Sequence, residues 1–154
     1  MKVIINEEQL RLIIESEGGE NLFYIPAHFL VNNPNVILDK YKKKRDYDGL
    51  RVGGNLNLEN LPSDVVEKIL NELIEVDGYL YIRRRDIESL GKLKRVKGSL
   101  GVTGCRKLES FGNLESVGNL ESVGGDLNIG LTPLARLSDE KIRNQIEIKG
   151  EIYR

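Results

Sequence analysis

A short alternation of aliphatic and polar positions, interrupted by glycine, recurs through the second two-thirds of the chain. The phrase is aliphatic, any, Gly, any, aliphatic, any, aliphatic. It stands as Val52-x-Gly54-x-Leu56-x-Leu58, Val76-x-Gly78-x-Leu80-x-Ile82, Val96-x-Gly98-x-Leu100-x-Val102 and Val123-x-Gly125-x-Leu127-x-Ile129. A degenerate copy, Ile148-x-Gly150-x-Ile152, puts Arg154 where an aliphatic is expected. Start-to-start spacings are 24, 20, 27 and 25 residues. The period of two inside the phrase predicts one short strand per copy, with one buried face. The spacing between copies is that of a solenoid turn, and stacked turns would set the strands in a parallel ladder. Glycine just before the strand suits a bend or a close approach of backbones. Each turn buries a few aliphatics, worth about 1.5–3 kcal/mol apiece before conformational entropy is subtracted. No turn is stable alone on that account, so such units come stacked.

The connections are of two kinds. Pro62 and Ser63-Asp64 precede Val65, Val66, Ile69, Leu70, Leu73 and Ile74 at helical spacing, which predicts a helix with Ser63 as its N-cap. The plan recurs as Leu137, Ser138-Asp139-Glu140, Ile142 and Ile146. Leaner connections carry Ile87-Glu88-Ser89-Leu90-Gly91 and Leu108-Glu109-Ser110-Phe111-Gly112. The longest spacing contains a tandem copy, Phe111 to Ser116 followed by Val117 to Ser122, expected to bulge as a loop or partial turn. At the other end, Met1–Ile5 reads as a strand. Asn6 to Gln9 reads as a helix start, Leu10 to Ile14 as a short helix, and Gly18-Gly19 as its stop. Residues 20–49 turn from apolar to basic and contain Pro26, Pro34 and the run from Lys40 to Arg45. The expected organisation is a capping segment at 1–49 and a repeat region at 50–154, forming one structural domain.

The strings Leu93-x-x-Val96-x-Gly98-x-Leu100-x-Val102 and Leu120-x-x-Val123-x-Gly125-x-Leu127-x-Ile129 resemble the leucine-rich repeats of receptor L domains. The resemblance covers about residues 50–154. It departs from that family in lacking the cysteines of the extracellular members and a steady Asn at the repeat corner. It implies a curved parallel-sheet solenoid with a binding role and carries over no catalytic residue. The opening Met-Lys-Val-Ile-Ile-Asn-Glu-Glu-Gln-Leu resembles the starts of small phage-encoded proteins, which implies a host protein or defence factor as the partner. The expected fold is therefore α/β, a short leucine-rich-repeat-like solenoid of about five turns with a parallel β-ladder and an α/β N-terminal cap.

Composition narrows this reading. The 154 residues, 40% hydrophobic and 31% charged, suit one soluble domain with a core. No apolar run approaches the roughly 18 residues of a membrane span, and no secretory signal is legible. The single cysteine, Cys105, excludes an internal disulfide framework, so the expected setting is cytoplasmic, with no membrane partner. Net charge is −1, yet residues 78–107 hold nine Lys/Arg against two Asp/Glu, and residues 40–51 hold six against two. Charge is segregated along the chain.

Chemistry-bearing motifs are scarce. His28 is the only histidine, so a histidine metal cluster is out, and it reads as a capping-segment residue. Cys105 stands beside Arg106 and Lys107, cations that lower a thiol pKa, but an inert turn cysteine is the plainer reading. Phosphate-loop and metal-ligand spacings are missing, so the chain reads as a non-enzyme without cofactor. The solvent face of the ladder is more informative. One outward column runs Asn57, Tyr81, Gly101, Asn128, Tyr153, and the one before it Asn55, Tyr79, Ser99, Asp126, Glu151. Tyr79, Tyr81 and Arg83 are residue types that dominate binding hot spots, although tyrosine also simply suits strands. A second candidate is the basic set Arg83, Arg84, Arg85, Lys92, Lys94, Arg95, Lys97, Arg106 and Lys107, expected to gather on one edge. Such an edge meets phosphates or an acidic protein, or is a solvated rim. The expected function is protein binding through Asn57, Tyr79, Tyr81, Arg83, Asn128 and Tyr153. The alternative is nucleic-acid binding through the basic edge. Self-association through the C-terminal strand edge is also expected.

Overall fold

The computed structural model describes residues 15–17, 20–43, 46–83, 86–111 and 120–154. The expected strand at 1–5, the helix at 6–14, the Gly18-Gly19 stop, Arg84, Arg85 and most of the tandem copy lie outside the described residues.

The fold is α/β, with two sheets and four α-helices among the described residues. In chain order the elements begin β1 (Glu15–Glu17), β2 (Glu20–Pro26), α1 (Ala27–Asn32), α2 (Pro34–Lys43), β3 (Gly49–Gly53), β4 (Leu56–Asn57) and α3 (Ser63–Leu70). They continue β5 (Leu73–Val76), β6 (Leu80–Tyr81), β7 (Arg95–Val96), β8 (Leu100–Gly101), β9 (Ser122–Val123) and β10 (Leu127–Asn128). A 3-10 helix at Pro133–Arg136 leads to α4 (Asp139–Gln145), β11 (Glu147–Ile148) and β12 (Ile152–Tyr153). One sheet has the order β1-β2-β3-β5-β7-β9-β11, parallel except for β1. The other, β12-β10-β8-β6-β4, is parallel throughout.

Each repeated phrase divides at its glycine. The aliphatic before it lies in the seven-stranded sheet, and the one two residues after it lies in the five-stranded sheet. This corrects the expectation of one strand per copy and a single ladder. Val52, Val76, Val96, Val123 and Ile148 stack in register in the first sheet. Leu56, Leu80, Leu100, Leu127 and Ile152 stack in the second. All except Ile152 are buried, and they form the centre of one continuous core.

The corner between the sheets explains the glycine. The N–H groups of Gly78, Gly98, Gly125 and Gly150 donate to the carbonyls of Gly54, Gly78, Gly98 and Gly125 at 2.9, 3.0, 3.0 and 3.0 Å. A Cβ at Gly78, Gly98, Gly125 or Gly150 would come within 2.8, 2.7, 3.0 or 2.6 Å of backbone atoms of the glycine before it. A column of backbone-to-backbone contacts therefore runs along the corner, with no room for a side chain.

Two helix details differ from expectation. α3 ends at Leu70, and Leu73 and Ile74 belong to β5, where both are buried. The Leu50 N–H donates to the Glu72 carbonyl at 2.7 Å, so sheet pairing captures this segment before the helix can continue. Ser63 is the first helical residue rather than the cap; Pro62 occupies the cap position and supplies no side-chain acceptor. α4 behaves as read, with the Ser138 Oγ accepting the Lys141 N–H at 3.2 Å.

The N-terminal segment continues the architecture. β2 pairs with β3 from Leu22–Gly49 to Pro26–Gly53, and α1 packs against β4. Phe23 meets the rings of Tyr41 and Tyr47 edge-on, with centroids 5.8 and 5.2 Å away. Burial, and a hydrogen bond with Glu72, hold the Tyr41 hydroxyl well above the usual tyrosine pKa.

Candidate functional site

The outer face of the five-stranded sheet carries the Asn57, Tyr81, Gly101, Asn128, Tyr153 column in register. Tyr79 and Tyr81 stand two residues apart on this face, with ring centroids 4.4 Å apart and planes tilted by 30°. Tyr81 leans across the neighbouring strand: a Cβ at Gly101 would lie 2.6 Å from its ring. Glycine at 101 therefore lets the ring lie against the β8 backbone, and Tyr81 stays 37% exposed. Arg83 follows on the same face and is exposed.

Other members of the column are placed differently. Asn57 Oδ1 accepts the Glu59 N–H at 2.9 Å, and Asn128 Oδ1 accepts the Gly130 N–H at 3.1 Å and faces Thr103 Oγ1 at 3.0 Å. Both amides are thus partly committed to their own turns. Tyr153 is 52% exposed on β12. It lies three strands from Tyr81, about 14 Å at the usual strand spacing. The structure brings the Tyr79 and Tyr81 rings together, leaves Arg83 exposed two residues beyond Tyr81, and holds Tyr153 apart.

The sequence places Asn55, Ser99 and Asp126 in an outward column but does not show what they do at the corner. Asn55 Oδ1, Ser99 Oγ and Asp126 Oδ1 accept the N–H groups of Tyr79, Asp126 and Glu151 at 3.0, 3.0 and 2.8 Å. Each acceptor directly follows a phrase glycine, and each takes the N–H of the equivalent residue in the next copy. Asn, Ser and Asp share an oxygen at one reach but no residue name, which hides the pattern. Tyr79 occupies the same position and cannot do this work. A corner residue chosen for structure would be a short acceptor; here it is an exposed-face aromatic.

The outer face of the seven-stranded sheet is a mosaic of opposite charges. Tyr24, Arg51, Glu75, Arg95, Ser122 and Glu147 form a cross-strand row. The Arg51 guanidinium lies 5.5 Å over the Tyr24 ring, and its Nε is 2.9 Å from Asp77. Glu75 is only 2% exposed. Its Oε1 accepts from Arg95 Nε at 3.0 Å. Its Oε2 sits 3.3 Å from Arg51 Nε, near enough for an ion pair but not aligned for a hydrogen bond. Lys97 reaches Asp77 at 3.7 Å, Lys92 reaches Glu72 at 3.8 Å, and Arg95 also reaches Glu121 at 3.6 Å. An open groove of about 340 Å³ lies over Ser122 and Gly124, between Arg95 and Lys97 on one side and Glu147 and Lys149 on the other.

The basic set is therefore divided rather than gathered on one edge. Lys92, Lys94, Arg95 and Lys97 flank or form β7 in the seven-stranded sheet, where Lys92, Arg95 and Lys97 face carboxylates. Arg83, Arg106 and Lys107 follow β6 and β8 of the other sheet and are exposed. Cys105 is fully buried, with Sγ donating to the Ile82 carbonyl at 3.3 Å. His28 is exposed on α1 beside Phe29, with ring centroids 4.2 Å apart. Among the described residues, no group of three or more His, Cys, Asp or Glu is placed to hold a metal ion, and no helix is long and apolar enough to cross a membrane. Comparison with protein-family models, curated proteins and solved structures finds no match.

Proposed function

We propose that residues 50–154 work as a short leucine-rich-repeat-like solenoid of about five turns, capped by residues 1–49, that binds a protein partner through the outer face of the five-stranded sheet. The observation that carries this reading is the Tyr79–Tyr81 pair, two rings 4.4 Å apart on a hydrogen-bonded ladder, with Tyr81 exposed beside Gly101. Rings already fixed in place lose little freedom on binding, and tyrosine next to arginine is a recurrent hot-spot pairing. Exposed Arg83, Arg106 and Lys107 lie on the same sheet's exits and favour an acidic partner surface. A host protein is the class that the N-terminal resemblance to phage-encoded proteins implies. The test is affinity capture with mass spectrometry, comparing the wild type with a Tyr81→Ala, Arg83→Glu double variant shown to be folded. Loss of one specific partner from the variant is expected; unchanged capture overturns the surface assignment. Nucleic-acid binding has weaker support, since Arg95 and Lys97 already face Glu75 and Asp77. A low-salt titration against DNA and RNA tests it, with affinity falling steeply in salt if it holds.

A further inference from the structure

Both sheets are parallel ladders in which each strand donates to and accepts from its neighbour, as where the Leu50 N–H of β3 donates to the Glu72 carbonyl just before β5. At the ends of the short strands of the seven-stranded sheet, valine carbonyls accept from the segment that follows. Val76, Val96 and Val123 accept from the N–H groups of Lys97, Gly124 and Lys149 at 2.9, 2.8 and 3.1 Å, and the corner glycines continue the pattern. In the five-stranded sheet, N–H groups donate to the strand that follows: Leu80 to Ser99, Leu100 to Asp126 and Leu127 to Glu151, each at 2.9 Å.

β11 is the edge of the first sheet, so the carbonyls of Ile148 and Gly150 stand where Val123 and Gly125 stood for it. A following strand would cover them. Instead Arg143 Nη1 donates to the Ile148 carbonyl at 2.8 Å and Nη2 to the Gly150 carbonyl at 2.9 Å. A guanidinium is a rigid fork of donors, suited to spanning two acceptors two residues apart. α4 fixes its origin, with Ser138 capping one end and buried Ile142 packing beside Arg143. Five residues before the matching aliphatic of an earlier copy, Val76, the chain has Asn71, exposed. There the carbonyls of Val76 and Gly78 are already taken by Lys97 and Gly98. On β11 the arginine takes the place that Lys97 and Gly98 hold for Val76 and Gly78.

We infer that Arg143 is a side-chain substitute for a strand, closing the β11 edge to pairing with a second copy of this chain. β12 keeps outward donors of its own. The outward N–H of Ile152 and of Arg154 correspond to those that Leu127 and Ile129 donate forward at 2.9 Å, and no acceptor for them lies among the described residues. Arg154 adds a tether of its own, donating to the carbonyls of Ala135 and Leu137 at 3.2 and 2.8 Å and pairing with Asp139.

The test is sedimentation velocity over a wide concentration range on the wild type, Arg143→Ala and Arg143→Lys, each also with Ile152→Pro to remove the outward donor of β12. Arg143→Ala is expected to self-associate more tightly than the wild type, by about tenfold to a hundredfold for two recovered hydrogen bonds. The gain is expected to persist with Ile152→Pro. Lysine, with one donor centre, is expected to fall between. A folded Arg143→Ala variant with wild-type association overturns the inference, as does a gain that vanishes with Ile152→Pro. If the alanine variant does not fold, wild-type association by the folded lysine variant overturns it too.

Discussion

Gly98→Ala isolates the corner column better than any other single change. The new Cβ would lie 2.7 and 2.8 Å from the Gly78 carbonyl carbon and oxygen and 2.8 Å from the Tyr79 nitrogen. All three are backbone atoms of an adjoining strand, so relief requires the strands to part. Overpacking of this kind costs about 1–3 kcal/mol, and weakening the 3.0 Å Gly98-to-Gly78 hydrogen bond adds about 1 kcal/mol. Alanine restricts the unfolded chain more than glycine and returns about 0.4–1 kcal/mol. The net expectation is a loss of about 2–3 kcal/mol. In a domain of this size that lowers Tm by about 4–12 °C. Gly54→Asn is the control. A Cβ at Gly54 meets nothing within 4 Å, but φ is +85°, a region asparagine tolerates. Its expected cost is about 0.5–1 kcal/mol. Equilibrium urea unfolding of both variants measures the difference. A Gly98→Ala loss under about 0.5 kcal/mol, or equal losses in the two, would show that close approach is not what the glycine provides.

Other perturbations probe separate features. Because the folded Tyr41 hydroxyl holds its proton more tightly than the unfolded one, its contribution to stability is complete at neutral pH. That contribution falls by about 1.4 kcal/mol per pH unit above about pH 10; Tyr41→Phe should flatten this alkaline loss in urea titrations, and an unchanged slope refutes the assignment. Glu75→Gln leaves Arg51 and Arg95 facing each other across a nearly buried site and is expected to cost about 2–4 kcal/mol by denaturant unfolding. A cost near zero would mean that the row is merely solvated. Ser138→Ala should cost about 1 kcal/mol and Ser63→Ala almost nothing, since only Ser138 caps a helix. Equal thermal shifts for the two would contradict that distinction.

The phrase Val-x-Gly-x-Leu-x-aliphatic was enough to place the stacked residues of both sheets in register, because alternation and spacing are local properties. The division at glycine was not legible. Val76, Gly78 and Leu80 keep the same period across the corner as along a straight strand, and only the approach of Gly98 to Gly78 from another copy reveals the bend. Leu73 and Ile74 fit the helical spacing of α3 equally well as β5, and pairing with β3 decided between them. Of the surface residues, Tyr79 and Tyr81 lie ring beside ring on one face, which alternation predicts. The basic set reads as one run in sequence, but its chemistry depends on carboxylates such as Glu75, 20 residues from Arg95, that sequence cannot assign to it. Arg143 carries no signal in the sequence; its meaning comes from the Ile148 and Gly150 carbonyls that the fold sets within its reach.

The repeated corner bears on how such a molecule changes length over evolutionary time. Every junction between successive copies presents the same two parallel ladders with a glycine at the bend. A whole unit copied into the middle would find both of its neighbours already matched, provided it brought its glycine. Growth by duplication therefore asks for no redesign of the interior, and variation in spacing can be absorbed by the connections outside the ladder. A strand added beside β11 would have to displace Arg143 from the Ile148 and Gly150 carbonyls, so this junction differs from the others in its cost.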